Sequence, residues 1–216
     1  MKKSVKISLF IALLLIIDQI IKILVKTNMS LNDSIHIFDW FQIHFVENPG
    51  MAFGMKFGGT FGKTILTLFR LIVSGLVLYY IILLIKDNYK TSYLICVSLI
   101  FVGAIGNIVD CLFYGLIFDT GTVFDTVNQY YVGYQGISSF STQGYASLLQ
   151  GCVVDMFYFP LFTFPDWLPL LGGEIFFSPV FNIADSCITV GIFILIIFFR
   201  KDFNITFDRY FQRVKR

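Results

Sequence analysis

Ser178-Pro179-Val180-Phe181-Asn182-Ile183-Ala184-Asp185-Ser186 leads directly into Cys187-Ile188-Thr189-Val190-Gly191-Ile192-Phe193-Ile194-Leu195-Ile196-Ile197-Phe198-Phe199. The run that closes this stretch is long and apolar enough to cross a bilayer. A carboxylate at its entrance is costly to keep in lipid, so Asp185 marks a functional site with a partner by default. Asp155, upstream in Gly151-Cys152-Val153-Val154-Asp155, is the candidate partner.

The composition around this stretch agrees. Of 216 residues, 56% are hydrophobic, 18% aromatic and only 14% charged, with a mean hydropathy of +0.77. That is the profile of an integral membrane protein. A net charge of +2 gives no footprint for nucleic acid. Cys96, Cys111, Cys152 and Cys187 contain no CxxC pair, and three lie in or beside apolar runs. Neither a disulfide framework nor a zinc site fits that spacing. His36 and His44 match no ligand spacing, so no metal and no cofactor is expected.

Four apolar runs predict four spans, near residues 5–25, 64–85, 92–109 and 181–199. The first follows Lys2 and Lys3 like a secretory signal. Its apolar stretch is too long for one, no A-x-A site follows, and it carries Asp18 and Lys22, so it reads as a retained helix. Loops 26–63 and 110–180 connect the spans on one side. The whole chain, 1–216, reads as a single membrane domain without internal repeats.

Basic residues set the orientation. Lys2, Lys3, Lys6, Lys86, Lys90 and the tail (Arg200, Lys201, Arg209, Arg213, Lys215, Arg216) fall on one side, against Lys22, Lys26, Lys56 and Lys63 on the other. Both termini are therefore expected in the cytoplasm, with the two long loops outside. At ~1.5 Å per helical residue, Asp18 lies ~18 Å beyond Lys6, Asp110 ~30 Å beyond Lys90, and Arg70 ~10 Å beyond Lys63. The costly polar groups thus gather toward the outer leaflet.

Between the first two spans, Phe41-Gln42-Ile43-His44-Phe45 alternates as a strand does. It leads to Asn48-Pro49-Gly50, a turn signal. Residues 119–150 are rich in Gly, Ser, Thr, Tyr and Gln and read as an insertion of loose structure. Asp119-Thr120-Gly121 within it matches a pepsin-like signature, but that fold needs two β-rich lobes far longer than this loop.

Each polar motif has a plain and a chemical reading. Asp18 and Lys22, four apart, form either a self-neutralising helical pair or a scaffold for the site. Gly103, Asn107 and Asp110 share a helix face with Gly106 beside it, suited either to helix packing or to holding backbone near the acids. Asp185 near a helix start also suits an N-cap. Two carboxylates brought close cannot both ionise easily, so one keeps a proton and polarises a carbonyl while the other takes a proton from water.

The ordered blocks Asp18…Lys22, Asn48-Pro49-Gly50-Met51-Ala52-Phe53, Gly103-Ala104-Ile105-Gly106-Asn107-Ile108-Val109-Asp110, Val153-Val154-Asp155-Met156-Phe157 and Phe181-Asn182-Ile183-Ala184-Asp185-Ser186 resemble the lipoprotein signal peptidases (signal peptidase II) over almost the whole chain. The resemblance implies an all-α membrane protein, a four-helix bundle with a small extracytoplasmic β-cradle and a half-helix. It implies a catalytic dyad of Asp155 and Asp185, with Asn48, Gly50, Asn107, Asp110, Asn182 and Ala184 supporting or contacting substrate and Asp18, Lys22 and Arg70 as structural polar groups. The substrate it implies is a prolipoprotein carrying diacylglyceryl on its lipobox cysteine, cut just before that cysteine in the bacterial inner membrane. Globomycin is the implied inhibitor class, membrane lipids the surroundings, and a monomer the implied state. Where the family has Arg after the third-block Asp, this chain has Cys111, so a contact made by that Arg falls to another residue, with Arg70 a candidate.

Other classes fit less well. No GxGD, HExxH or Gly-x-Ser-x-Gly of other membrane proteases appears. A small transporter would place polar groups near the midplane rather than toward one end. A non-catalytic assembly protein leaves the ordered blocks unexplained.

Overall fold

The computed structural model describes residues 2–50 and 59–212. Met51, Ala52 and Phe53 of the second block, Lys56, and Arg213, Lys215 and Arg216 of the tail lie outside the described residues. In chain order the elements are α1 (Lys3–Asn28), β1 (Ser34–Phe38), β2 (Phe41–Asn48), α2 (Gly59–Lys86) and α3 (Thr91–Val109). A π-helical segment (Asp110–Tyr114) and the short α4 (Gly115–Ile117) continue α3. Then come β3 (Val123–Asp125), β4 (Tyr130–Val132), β5 (Val153–Tyr158), β6 (Phe162–Thr163), β7 (Ile175–Phe176) and β8 (Val180–Phe181), followed by α5 (Ile183–Phe198) and α6 (Arg200–Phe207), which a second π segment (Asp208–Gln212) extends.

Three helices are long and apolar enough to cross a membrane: Lys3–Asn28, Gly59–Lys86 and Thr91–Ile117. On α1, Leu9, Leu13, Ile16, Ile20 and Leu24 are exposed at helical spacing. Such a stripe is stable only against lipid. The third helix is the inner one, with 67% of its apolar window buried against 17% for the first.

Two of the expected spans need correction. The third does not stop at Val109 but runs through the π segment to Ile117. Its ending was placed by treating Asp110 as a boundary charge, whereas Asp110 is buried and ion-paired. A neutralised carboxylate does not have to mark the membrane edge, and the apolar residues beyond it let the helix continue. The fourth expected span, 181–199, is shorter: Phe181 pairs with Phe157 in a sheet, and α5 has 16 residues, or ~24 Å. At Phe199 the backbone leaves the helix (φ −122°, ψ 12°) and α6 turns away by 90°. The fourth crossing exists only if this bent pair is one span.

The all-α class is also too narrow. About 54% of the chain is helical, but β1, β2, β5 and β8 form a four-stranded antiparallel sheet in that order. Two-stranded pairs β3–β4 and β6–β7 accompany it. The alternation read at Phe41–Phe45 is β2, with Phe45 fully buried. Residues 119–150 are organised rather than loose. Asp125 Oδ1 accepts the N–H groups of Val127 and Asn128, closing the β3–β4 turn. Ser139 donates to Asp119 through backbone and side chain, which holds that carboxyl well below the usual range. The Asp of the pepsin-like tripeptide is thus a loop anchor.

The chain divides into two compact units: residues 1–19, 68–108 and 183–216, and residues 20–67 and 109–182. The first has a core of Ile7, Tyr80, Leu84, Tyr93, Leu94 and Val97. There Tyr80 Oη bonds Tyr93 Oη at 2.6 Å, and Thr206 of α6 closes the network on Tyr80. The second unit has a core of Val25, Met29, Phe45, Tyr114, Phe118, Val154 and Met156, which seats the sheet.

Within the first unit, α3 and α5 approach through small residues. A Cβ on Gly103 would lie 2.2 Å from the Ala184 carbonyl oxygen, and one on Gly191 would lie 2.7 Å from Ile100 Cγ1. Without a strong hydrophobic force between helices in lipid, this close backbone contact is what holds them. Gly103→Val is therefore expected to destabilise by about 1–3 kcal/mol or more. Thermal melting in detergent measures it, with Gly75→Val, which meets nothing within 4 Å, as the neutral control.

Candidate functional site

Each of the two units holds one of the candidate acids. In the first, Asp185 occupies the first turn of α5, where a helix N-terminus favours negative charge. Asn107 Nδ2 of α3 donates to Asp185 Oδ1 at 2.7 Å. The N-cap reading of Asp185 does not hold, because the helix begins at Ile183 and Asp185 lies inside it. One of the orphan N–H groups of that first turn, at Ala184, instead donates to Asp18 Oδ1 at 3.0 Å. Asp18 is therefore a cap supplied by another helix.

The small residues make this possible. A Cβ on Gly106 would lie 2.8 Å from Asp18 Oδ2 and 2.9 Å from the Ala184 methyl. Gln19 Nε2 bonds both Asp18 Oδ2 and the Gly106 carbonyl, at 3.1 and 3.2 Å. Ala184 itself is fully buried. Arg70 lines a cavity of about 210 Å³ whose walls include Ser74, Gly103, Asn107 and Asp185.

In the second unit Asp155 is buried on β5. Asn182, after β8, donates from Nδ2 to Asp155 Oδ1 at 2.6 Å and to the Val154 carbonyl at 3.2 Å. Asn182 precedes Asp185 by three positions in the chain. Lys22 forms a salt bridge of 2.8 Å with Asp110, their side chains 1% and 0% exposed. Asp110 Oδ2 also accepts the Val154 N–H at 3.2 Å, so this pair fixes the backbone next to Asp155. Asn48 is paired with Val153 in the sheet. Its Oδ1 accepts the Gly50 N–H at 2.9 Å, in a turn where Gly50 has φ 95°, a conformation that suits glycine. Cys111 is buried in the π segment, its carbonyl bonded by the Gly151 N–H.

Sequence reasoning missed two buried lysines. Lys26, fully buried, pairs with Glu47 and donates to the Thr120 carbonyl at 3.0 Å. The rings of Phe118, Tyr134 and Tyr145 lie 5.0–5.3 Å from its Nζ. Glu47 in turn accepts the Thr122 N–H at 2.6 Å, tying the insertion to β2. Lys63 donates to the Gln150 carbonyl at 2.7 Å and contacts Cys152 Sγ at 3.2 Å. Burial pushes the Cys152 thiol up to about 11. The available signal was periodicity: Asp18, Lys22 and Lys26 fall four apart on one helix face.

Removing one partner of a buried ion pair strands the other charge. Lys22→Met is expected to destabilise by about 3–5 kcal/mol. Adding Asp110→Leu to Lys22→Met should restore most of the loss, and melting of the two variants side by side checks it.

Comparison with known proteins follows the same blocks. The sequence profile of the family described as signal peptidase (SPase) II matches residues 10–201. The lipoprotein signal peptidase of Porphyromonas gingivalis is 45% identical over 203 residues, which covers 92% of this chain and 84% of the relative. That of Amoebophilus asiaticus is 34% identical over 195 residues, covering 87% and 75%. A bacterial membrane enzyme solved by the in meso method at 2.3 Å resolution aligns with a TM-score of 0.55 and 25% identity, over 91% of this chain and 88% of that one. A second, at 1.9 Å resolution, shares the fold with a TM-score of 0.56 over 91% and 94% of the two chains. The chain belongs to the signal peptidase II family.

Proposed function

We propose that the chain is an aspartic endopeptidase that removes signal peptides from diacylglyceryl-modified prolipoproteins, cutting just before the lipidated cysteine. Family membership supports a protease acting on prolipoproteins. The observation that carries the aspartic assignment is a repeated arrangement. Each candidate acid receives an asparagine amide at one carboxylate oxygen, Asn107 on Asp185 and Asn182 on Asp155. Such bonds orient a carboxylate and leave its chemistry to proton transfer.

In this reading Asp155 and Asp185 share one proton. The ionised carboxylate takes a proton from water as the water oxygen bonds to the scissile carbonyl carbon. The protonated acid donates to the carbonyl oxygen, which gives a neutral tetrahedral diol. Collapse of that diol breaks the C–N bond, and the proton gained from water passes to the leaving nitrogen of the lipidated cysteine. No covalent intermediate forms. The peptide carbonyl carbon ends as a carboxylic acid, and the cysteine ends as a free amine.

The supporting residues follow from their partners. Asp18 holds the α5 N-terminus, Lys22 and Asp110 hold the Val154 backbone, and Asn48 with Gly50 shapes the turn after β2. The chain acts as one peptidase domain, a monomer in the bacterial inner membrane, with both termini cytoplasmic and the site at the outer leaflet. Basic residues at the termini and in the α2–α3 link support this orientation. Such a site lets the lipid tails of the substrate stay in the bilayer while the scissile bond reaches the acids. Globomycin-type cyclic peptides are the inhibitors this site would take.

Asp155→Asn and Asp185→Asn are each expected to lower cleavage of a diacylglyceryl prolipoprotein by at least ~10³-fold while the protein stays folded. A gel-shift assay in detergent reads cleavage, and melting reads folding. Substantial turnover by either variant would remove that residue from the dyad.

A further inference from the structure

Arg70 and Ser74 are one helical turn apart on α2 and share a face. Both line the cavity that also reaches Asp185. Among the described residues, Arg70 Nη1 and Ser74 Oγ are buried with no hydrogen-bond partner. A buried donor without an acceptor is costly, and a pair of them facing one cavity calls for a ligand with oxygen acceptors.

The surroundings narrow its chemistry. Phe69 and Val73, which flank the cavity, are 61% and 38% exposed on a helix apolar enough to cross the membrane. The opening therefore faces hydrocarbon. The Asp185 carboxylate in the same wall disfavours an anion such as phosphate or a free carboxylate. Val73 is also shared with a second cavity of about 370 Å³, walled by Leu76, Tyr80, Phe203 and Phe207. From Arg70 to Tyr80 the track along α2 is ~15 Å long. A neutral group with two acceptor oxygens, attached to a long apolar chain, fits this sequence of walls. That group is a carboxylic ester of a fatty acid.

We infer that this cavity is an ester-reading subsite. Arg70 Nη1–H and Ser74 Oγ–H donate to the ester oxygens of an acylglyceryl group on the substrate cysteine, and the acyl chain runs past Val73 into the aromatic groove. The assignment of the ester to substrate rests on the peptidase reading above. Arg70 and Ser74 are thus specificity-determining residues that help select lipidated precursors.

The test compares two probes, a cysteine peptide bearing an S-diacylglyceryl group and the same peptide with dialkyl ethers in place of both esters. Binding to the full chain in detergent is measured for wild type, Arg70→Met, Arg70→Lys and Ser74→Ala, each checked for folding by melting. Wild type is expected to bind the diester about tenfold or more tightly than the diether, the range of a hydrogen bond from a charged donor. That ratio should fall to near one in Arg70→Met, survive in part in Arg70→Lys, and drop about threefold in Ser74→Ala. Equal binding of both probes to wild type, or an unchanged ratio in Arg70→Met and Ser74→Ala, would overturn the subsite. Displacement of the diester peptide by equimolar diacyl phosphatidylcholine would assign the cavity to bulk lipid and overturn the substrate assignment. Precursor cleavage is assayed separately. Discrimination without any cleavage overturns the peptidase reading alone, and cleavage without discrimination overturns the subsite alone.

Discussion

Lys22 and Asp110 form a salt bridge at 2.8 Å from which water is almost wholly excluded, and the geometry around Asp155 depends on it. Neither charge is tolerable alone in an apolar interior. Together they leave one carboxylate oxygen to accept the Val154 N–H, which pins β5 one residue before Asp155. The same economy recurs at Lys26 and Glu47, where the glutamate also receives the Thr122 N–H and so ties a long insertion to β2. Paired charges here serve as anchors for backbone.

The second organising feature is the use of side chains from elsewhere in the chain to finish helix and strand ends. Asp18 supplies the acceptor that α5 lacks at Ala184. Asn182 bonds the Val154 carbonyl and Asp155 together. Gly103 and Gly106 admit Ala184 and Asp18 because they carry no side chain. Each acid of the proposed dyad is held by groups that themselves have fixed partners, which is how a catalytic carboxylate keeps its orientation before substrate arrives.

Much of this was legible in the sequence, and the exceptions share a cause. Apolar length gives α1, α2 and α3, and alternation gives β2, because these signals are local. The end of the third helix was not legible, since Asp110 marks a boundary only if its charge is unpaired, and its partner Lys22 is far away in the chain. The start of α5 was misplaced because Phe181 pairs with Phe157, a long-range choice that an apolar run does not encode. Asp155, Asp185, Asn107 and Asn182 were all legible as motif residues, and the bonds that pair each Asp with its Asn appear only in three dimensions. Arg70 read as a structural polar group, whereas its unpartnered Nη1 in a cavity beside Asp185 gives it a different character.

The central claim is that two carboxylates sharing one proton perform the hydrolysis. The pH dependence of kcat/KM for a lipidated precursor tests it most directly. The account predicts a bell-shaped profile, since both limbs belong to the coupled pair: one proton too many silences the base, and one too few silences the acid. A profile with a single limb that rises to a plateau would contradict a shared-proton dyad and point to one ionising group acting alone.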